Sequence, residues 1–155
     1  MTKKIFNKSH HEYGQAGESF VEAWLTKLGY TCYRPIDQYG PDIALEIRGK
    51  FYPCEVERRQ QKSWPSGIFK YDDYNLPERR FKKLRKGPLF VLPADMSRCL
   101  IVYPSSLVDA LEINRFMTKD SIHAKSEKIL EIPVDYCRDV STDEIGLRIG
   151  RNGEF

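Results

Sequence analysis

Two runs that alternate apolar and polar residues, joined by a tight turn, constrain this chain more than any other feature. Gly40, Pro41 and Asp42 lead into Ile43 to Ile47, and Phe51 to Arg59 follow Arg48, Gly49 and Lys50. The pattern predicts two strands paired across that turn. Side chains at i and i+2 of a strand share a face. Ile43, Leu45 and Ile47 therefore face a core, while Asp42, Ala44 and Glu46 face the other way. Glu55 and Glu57 stand side by side, with Cys54 and Val56 pointing into the core. Pairing across the turn brings Asp42 near both glutamates. Three carboxylates on one sheet face repel one another unless a positive group sits between them. Hard divalent cations such as Mg²⁺ or Mn²⁺ take oxygen ligands of this kind.

Upstream, Gly14 to Leu28 carries a helical pattern. Phe20, Val21, Trp24, Leu25 and Leu28 form one apolar stripe. Gly17 projects onto that stripe, where a missing side chain lets the helix approach the sheet. Glu18 falls at its edge. It reads either as a solvated acid in the first turn or as a carboxylate reaching round to the sheet-edge site, with Glu22 as the fallback. Gly29 suits the C′ position. Tyr30 to Arg34 is a strand signal. Residues 1 to 13 read as a polar arm, and His10 and His11 as a solvated pair.

Helix, Pro41-Asp42, spacer, then Glu55-Val56-Glu57 resembles the PD-(D/E)xK nuclease superfamily of restriction enzymes and Holliday-junction resolvases. The resemblance covers roughly residues 14 to 103. It departs where the motif lysine is replaced by Glu57, a substitution that some restriction enzymes of the superfamily share. The resemblance implies a restriction-endonuclease-like core and Mg²⁺- or Mn²⁺-dependent hydrolysis of DNA phosphodiester bonds. Asp42 and Glu55 would hold the metal, with the Val56 carbonyl as a further ligand. Glu57 would orient water, accept its proton or help bind a second metal, and Glu18 would complete an outer shell. Arg58, Arg59, Lys62 or Arg79 would supply the charge that the motif lysine normally brings.

Gln60 to Asn75 reads as a long loop with Trp64, Phe69, Tyr71 and Tyr74 scattered through it. These aromatics serve either to stack on splayed bases or to pin the loop. Loops beyond about 12 residues inside a compact domain are usually functional or mobile. Leu76 to Gly87 is expected as a short helix with Pro77 at N1 and Gly87 at C′. It carries Arg79, Arg80, Lys82, Lys83, Arg85 and Lys86 against one acid, Glu78. This one-sided run favours phosphate contact over a salt-bridged face. Arg79 or Arg80 would be placed to point toward the acids. Pro88 to Pro93 and Arg98 to Tyr103 read as buried strands, Ser105 to Leu111 as a short helix, and Lys128 to Val134 as an edge strand because of Pro133. The tail from Arg148 reads as frayed.

The element order predicts an α/β fold, a central mixed sheet flanked by helices. One domain is expected over 1–155, with its core at about 14–112, an N-terminal arm at 1–13 and an accessory part at 113–155. Net charge is +3, too small to prove a nucleic-acid partner. Four dispersed cysteines, Cys32, Cys54, Cys99 and Cys137, lack zinc spacing and read as buried thiols of a reducing compartment. No signal peptide or run of ~20 apolar residues is visible, so a cytoplasmic or nuclear protein with no membrane partner is expected. DNA is the expected partner. A two-fold dimer would serve a nuclease cutting both strands, and no segment marks its interface. The rival reading is an inactive nuclease-fold protein that binds nucleic acid through the basic helix. A third is a protein-interaction module meeting an acidic partner.

Overall fold

The computed structural model describes residues 8–36, 40–78, 80, 84, 86–107, 111–116 and 126–150. Helix α1 (Lys8–Lys27) leads into strands β1 (Thr31–Tyr33), β2 (Ile43–Ile47) and β3 (Lys50–Arg58). Then come β4 (Asp73–Pro77), β5 (Leu89–Leu92), β6 (Arg98–Val102), β7 (Leu111–Phe116), β8 (Ser126–Pro133) and β9 (Arg138–Ser141). A six-stranded sheet has the order β1-β2-β3-β5-β6-β9, and a second sheet has the order β4-β8-β7. In the larger sheet β3 and β5 run parallel and the other pairs antiparallel. The fold is α/β with a mixed central sheet, as the element order led us to expect.

The β2–β3 hairpin turns on Arg48 and Gly49, both at positive φ (52° and 80°), with Ile47 opposite Lys50. Glycine takes such a conformation at little cost, and the paired positive φ values match the right-handed twist of the flanking strands. The predicted alternation holds: Ile43, Leu45 and Cys54 are fully buried.

The apolar stripe of α1 packs Val21, Trp24 and Leu25 onto this face, with Phe90, Leu92, Cys99 and Ile101 behind them. Gly17 sits where a Cβ would lie 3.2 Å from Cβ of Arg58, so its missing side chain does bring helix and β3 together. The helix ends in a Schellman motif. Gly29 has φ of 98°, its N–H donates to the Thr26 carbonyl, and the Tyr30 N–H donates to that of Leu25.

The helix begins at Lys8 rather than Gly14. The stripe does not extend that far, so periodicity alone misses the first turns. Tyr13 explains them: its hydroxyl donates to the Arg59 carbonyl, and its ring lies 3.8 Å from the Arg58 guanidinium carbon. These contacts dock the early helix on the end of β3.

The other face of the sheet presents Leu89, Val91, Leu100 and Val102 to a second core with Trp64, Phe69, Tyr74, Leu76, Leu84 and Ile132. Strands β5 and β6 are thus buried on both faces, which is why they read as continuous apolar runs. The expected helix from Leu76 starts later. Asp73 to Pro77 form β4, and Glu78, Arg80 and Leu84 are helical. Pairing with β8 overrides the Pro77 signal, because Leu76 gains a buried position opposite Leu130.

Pro133 does not make β8 an edge strand. β8 is the middle strand of its sheet, and Pro133 closes it opposite Asp73. The expected helix at 105–111 is a 3-10 turn over Pro104–Leu107, and Leu111 opens β7 instead. Nor is Ile149 frayed. It is fully buried, its carbonyl accepts from the Tyr103 hydroxyl and its N–H donates to the Tyr30 hydroxyl oxygen. No disulfide joins the four cysteines, and Cys54, Cys99 and Cys137 are buried. Among the described residues no helix is long and apolar enough to cross a membrane.

Candidate active site

The acids meet where β2 and β3 part. The last rung of that pairing is Ile43 opposite Cys54. One residue further out, Asp42 turns its side chain across the gap, and its Oδ2 accepts the Val56 N–H at 2.9 Å. Glu55 donates its own N–H in the other direction, to the Pro88 carbonyl. The chain thus forks: the backbone of Val56 faces β2 and that of Glu55 faces β5. Glu18, Asp42, Glu55 and Val56 line one cavity of about 260 Å³, walled by Leu76, Leu84 and Leu89.

Glu18 does reach round from α1. Its carboxyl is pushed up to about 7, by burial first and then by the charge of Asp42 and a hydrogen bond with it; Arg34 opposes the shift. A carboxyl raised by burial and by a neighbouring carboxylate marks a place where positive charge is favoured. Arg34 approaches Glu18 to 3.7 Å and Glu22 to 3.4 Å. Sequence reasoning missed Arg34, because a lone arginine after a three-residue strand carries no pattern. Glu22, the fallback, lies one helical turn away and faces Arg34 rather than the cavity.

Glu57 follows a separate path. It shares a face with Glu55 but opens into an adjoining concavity with Tyr13, Arg58 and Gln60. Its carboxylate accepts from the Tyr74 hydroxyl and lies 3.7 Å from Arg59 and 3.9 Å from Arg80. Arg80, Gly14 and Val56 line both hollows, so Arg80 is the described cation of the basic run that borders the acids.

Arg58 spends its guanidinium on structure, donating to the Ala94 carbonyl at 2.7 and 3.2 Å and to that of Tyr13 at 3.4 Å. It is therefore a poor source of the missing positive charge. Arg59 lies over the Tyr74 ring, 5.1 Å from its centroid. Lys62 and Lys86 are exposed. Arg79, Lys82 and Lys83 lie outside the described residues.

Of the four loop aromatics, Trp64, Phe69 and Tyr74 are buried. Burial of an aromatic ring of this size contributes roughly 1.5–3 kcal/mol, which answers for pinning and removes these three from base stacking. Tyr71 is 49% exposed and remains available.

The oxygen donors Asp42 and Glu55 fit a hard cation in kind. Among the described residues, however, no three His, Cys, Asp or Glu side chains already cage one.

No protein-family model matches the chain, and no curated protein is similar to it in sequence. Among solved structures it is similar to a bacterial homing endonuclease, I-Ssp6803I, at 15% identity and a TM-score of 0.47, over 78% of this chain and 83% of that one. A likeness of that size establishes neither family nor activity.

Proposed function

We propose that this chain is a metal-dependent deoxyribonuclease built on a restriction-endonuclease-like core. The observation that carries the reading is the convergence of Glu18, Asp42 and Glu55, from a helix and two strands, on one cavity at a strand fork. Three acids drawn from distant positions into one hollow are costly to folding unless something positive joins them.

On this reading Asp42 and Glu55 hold Mg²⁺ or Mn²⁺, and the Val56 carbonyl serves from the same backbone edge as its N–H. Such an ion supplies charge neutralisation at a scissile phosphate and a lowered pKa for an attacking water. The chain's own residues do the rest. The Val56 N–H holds one oxygen of Asp42, which leaves the other for the cavity. Glu18, its carboxyl pushed up to about 7, would stand beside Asp42 as the outer acid of the site. Arg80 stands in for the motif lysine, and Glu57 with Tyr74 behind it orients Arg80. Lys62 and Lys86, with the basic run, track the phosphate backbone. A two-fold dimer belongs to the proposal only if both strands of a duplex are cut.

A specific observation favours the rival, a nuclease-fold protein that only binds nucleic acid: Glu57 is already engaged by Tyr74, Arg59 and Arg80. One assay separates the two. Labelled single-stranded, duplex, flap and four-way-junction DNA is incubated with Mg²⁺, Mn²⁺ or EDTA, using wild type and Glu55→Ala. Cutting that needs metal and vanishes in the variant supports the nuclease. Salt-sensitive binding of DNA without cutting, equal in both proteins, supports the rival.

A further inference from the structure

The packing around Gly14 does not call for a glycine. The residue lies inside α1, where glycine is the poorest helix former after proline. A Cβ built on it meets nothing within 4 Å among the described residues beyond its own stretch of helix. Gly17, one turn on, differs: there the missing side chain lets α1 close on Arg58. Gly14 is half-buried, and it lines the acid cavity and the adjoining hollow at once. A glycine that weakens its helix and leaves room suits the close approach of a ligand to backbone.

Two elements run past this point in the same order. On α1, His10, Gly14 and Glu18 are spaced by four and form one row. On β3, Glu57, Val56 and Glu55 follow one another. His10 and Glu57 line the outer hollow, of about 670 Å³, while Glu18 and Glu55 line the acid cavity. Gly14 and Val56 line both, and so does Arg80. The hollows are therefore the two ends of one track, with Gly14 and a cation at their junction. Toward the outer end the charge of Glu57 is met by Arg59 and Arg80, and Gln60 and Gln61 add neutral amides.

We infer that this track carries one unpaired DNA strand, which crosses the helix backbone at Gly14 with an internucleotide phosphate on Arg80. The phosphate before it faces the acids, and the next nucleotide lies in the outer hollow. Each glutamine amide there both donates and accepts, so it can meet sugar or base edges without choosing among bases. A groove that follows the backbone with positive charge is a common single-strand mode. A duplex is too wide to lie between a helix and a strand that close on each other one turn further on. The inference rests on the nuclease reading only for the scissile phosphate at the inner end.

The test is a binding titration with the full chain. A fluorescein-labelled oligothymidylate of about ten residues, within the span of single-strand sites, is followed by anisotropy in Ca²⁺, an oxygen-seeking cation like Mg²⁺, and again in EDTA. Wild type should bind it in at least one of the two. Gly14→Leu should weaken that binding at least fivefold, and Gly14→Ala by less. Ala16→Leu, which adds the same side chain at an exposed position of α1, should bind like wild type. A duplex of equal length should not distinguish Gly14→Leu from wild type. Gly14→Ala should unfold at a urea concentration no lower than wild type, because its methyl group enters open space. No single-strand binding by wild type, unchanged binding by Gly14→Leu, an equal loss for the duplex, or a less stable Gly14→Ala would overturn the proposal. The two readings fail separately. Metal-dependent cutting of single strands that survives Gly14→Leu retires the track alone. Single-strand binding that Gly14→Leu removes, with no cutting in any metal, retires the nuclease alone.

Discussion

Glu18→Gln should make this protein more stable at alkaline pH and leave it nearly unchanged in mild acid. The carboxyl of Glu18 titrates at about 7 in the fold against an ordinary value of 4.5, from burial and the neighbouring Asp42 carboxylate. The folded state therefore binds more protons than the unfolded state between those two values. Stability from this group is full below about 4.5 and is lost as pH rises to about 7. A displacement of that size has a ceiling of roughly 3 kcal/mol. Solvent reaches part of the carboxyl, and screening lowers the figure to roughly 1–2 kcal/mol.

Glutamine keeps a hydrogen-bond donor for Asp42 and cannot ionise. Urea denaturation of both proteins in EDTA, at half-unit steps from pH 5 to 8, isolates the effect, because titrations of groups away from this pair cancel in the difference. The gap should be smallest at pH 5 and reach roughly 1–2 kcal/mol in favour of the variant at pH 8, which is about 2–8 °C in thermal midpoint for a chain of this size. A gap that does not change with pH, or a variant less stable than wild type at pH 8, would falsify the raised carboxyl of Glu18.

Other outcomes follow from geometry elsewhere. Gly87→Ala would set a Cβ 1.9 Å from the Pro53 carbonyl oxygen and 2.8 Å from its carbon. Backbone must shift, and equilibrium unfolding should show a loss of roughly 3 kcal/mol. Burial raises the thiols of Cys54 and Cys99, and Cys32 is pushed up to about 11. Iodoacetamide at pH 8 should therefore label these three slowly in the native protein and fast in urea, as read by mass spectrometry. Under the nuclease proposal, Mn²⁺ should raise the thermal midpoint of wild type, and Glu55→Ala should lose most of that gain.

Much of the site was legible because its signals are local. A glycine-bearing turn, alternation on both sides of it and acids at i and i+2 specify a hairpin and its faces without help from the rest of the chain. The stripe on α1 likewise specified which side of the helix is buried and left Glu18 at its edge. What failed was local signal overruled by partners far away in sequence. Pro77 marks a helix start in isolation, yet Leu76 is worth more opposite Leu130 in a sheet. Pro133 marks an edge, yet at the last position of β8 its missing N–H costs little. The first turns of α1 are polar and look like an arm until Tyr13 meets Arg58 and Arg59.

The sequence alone determined the hairpin, the apolar strands β5 and β6, the buried face of α1 and the list of acids, since each depends on neighbours within a few residues. Only the tertiary structure decided which acids share a cavity. Glu55 and Glu57 are indistinguishable by spacing, and the fork between β2 and β5 sends the backbones of successive residues to different neighbours. Asp42 and Glu18 gather on the Glu55 side, while Tyr74, Arg59 and Arg80 claim Glu57. Arg34 likewise has no local signature, because its surroundings are assembled from segments that meet only when helix and sheet close on each other.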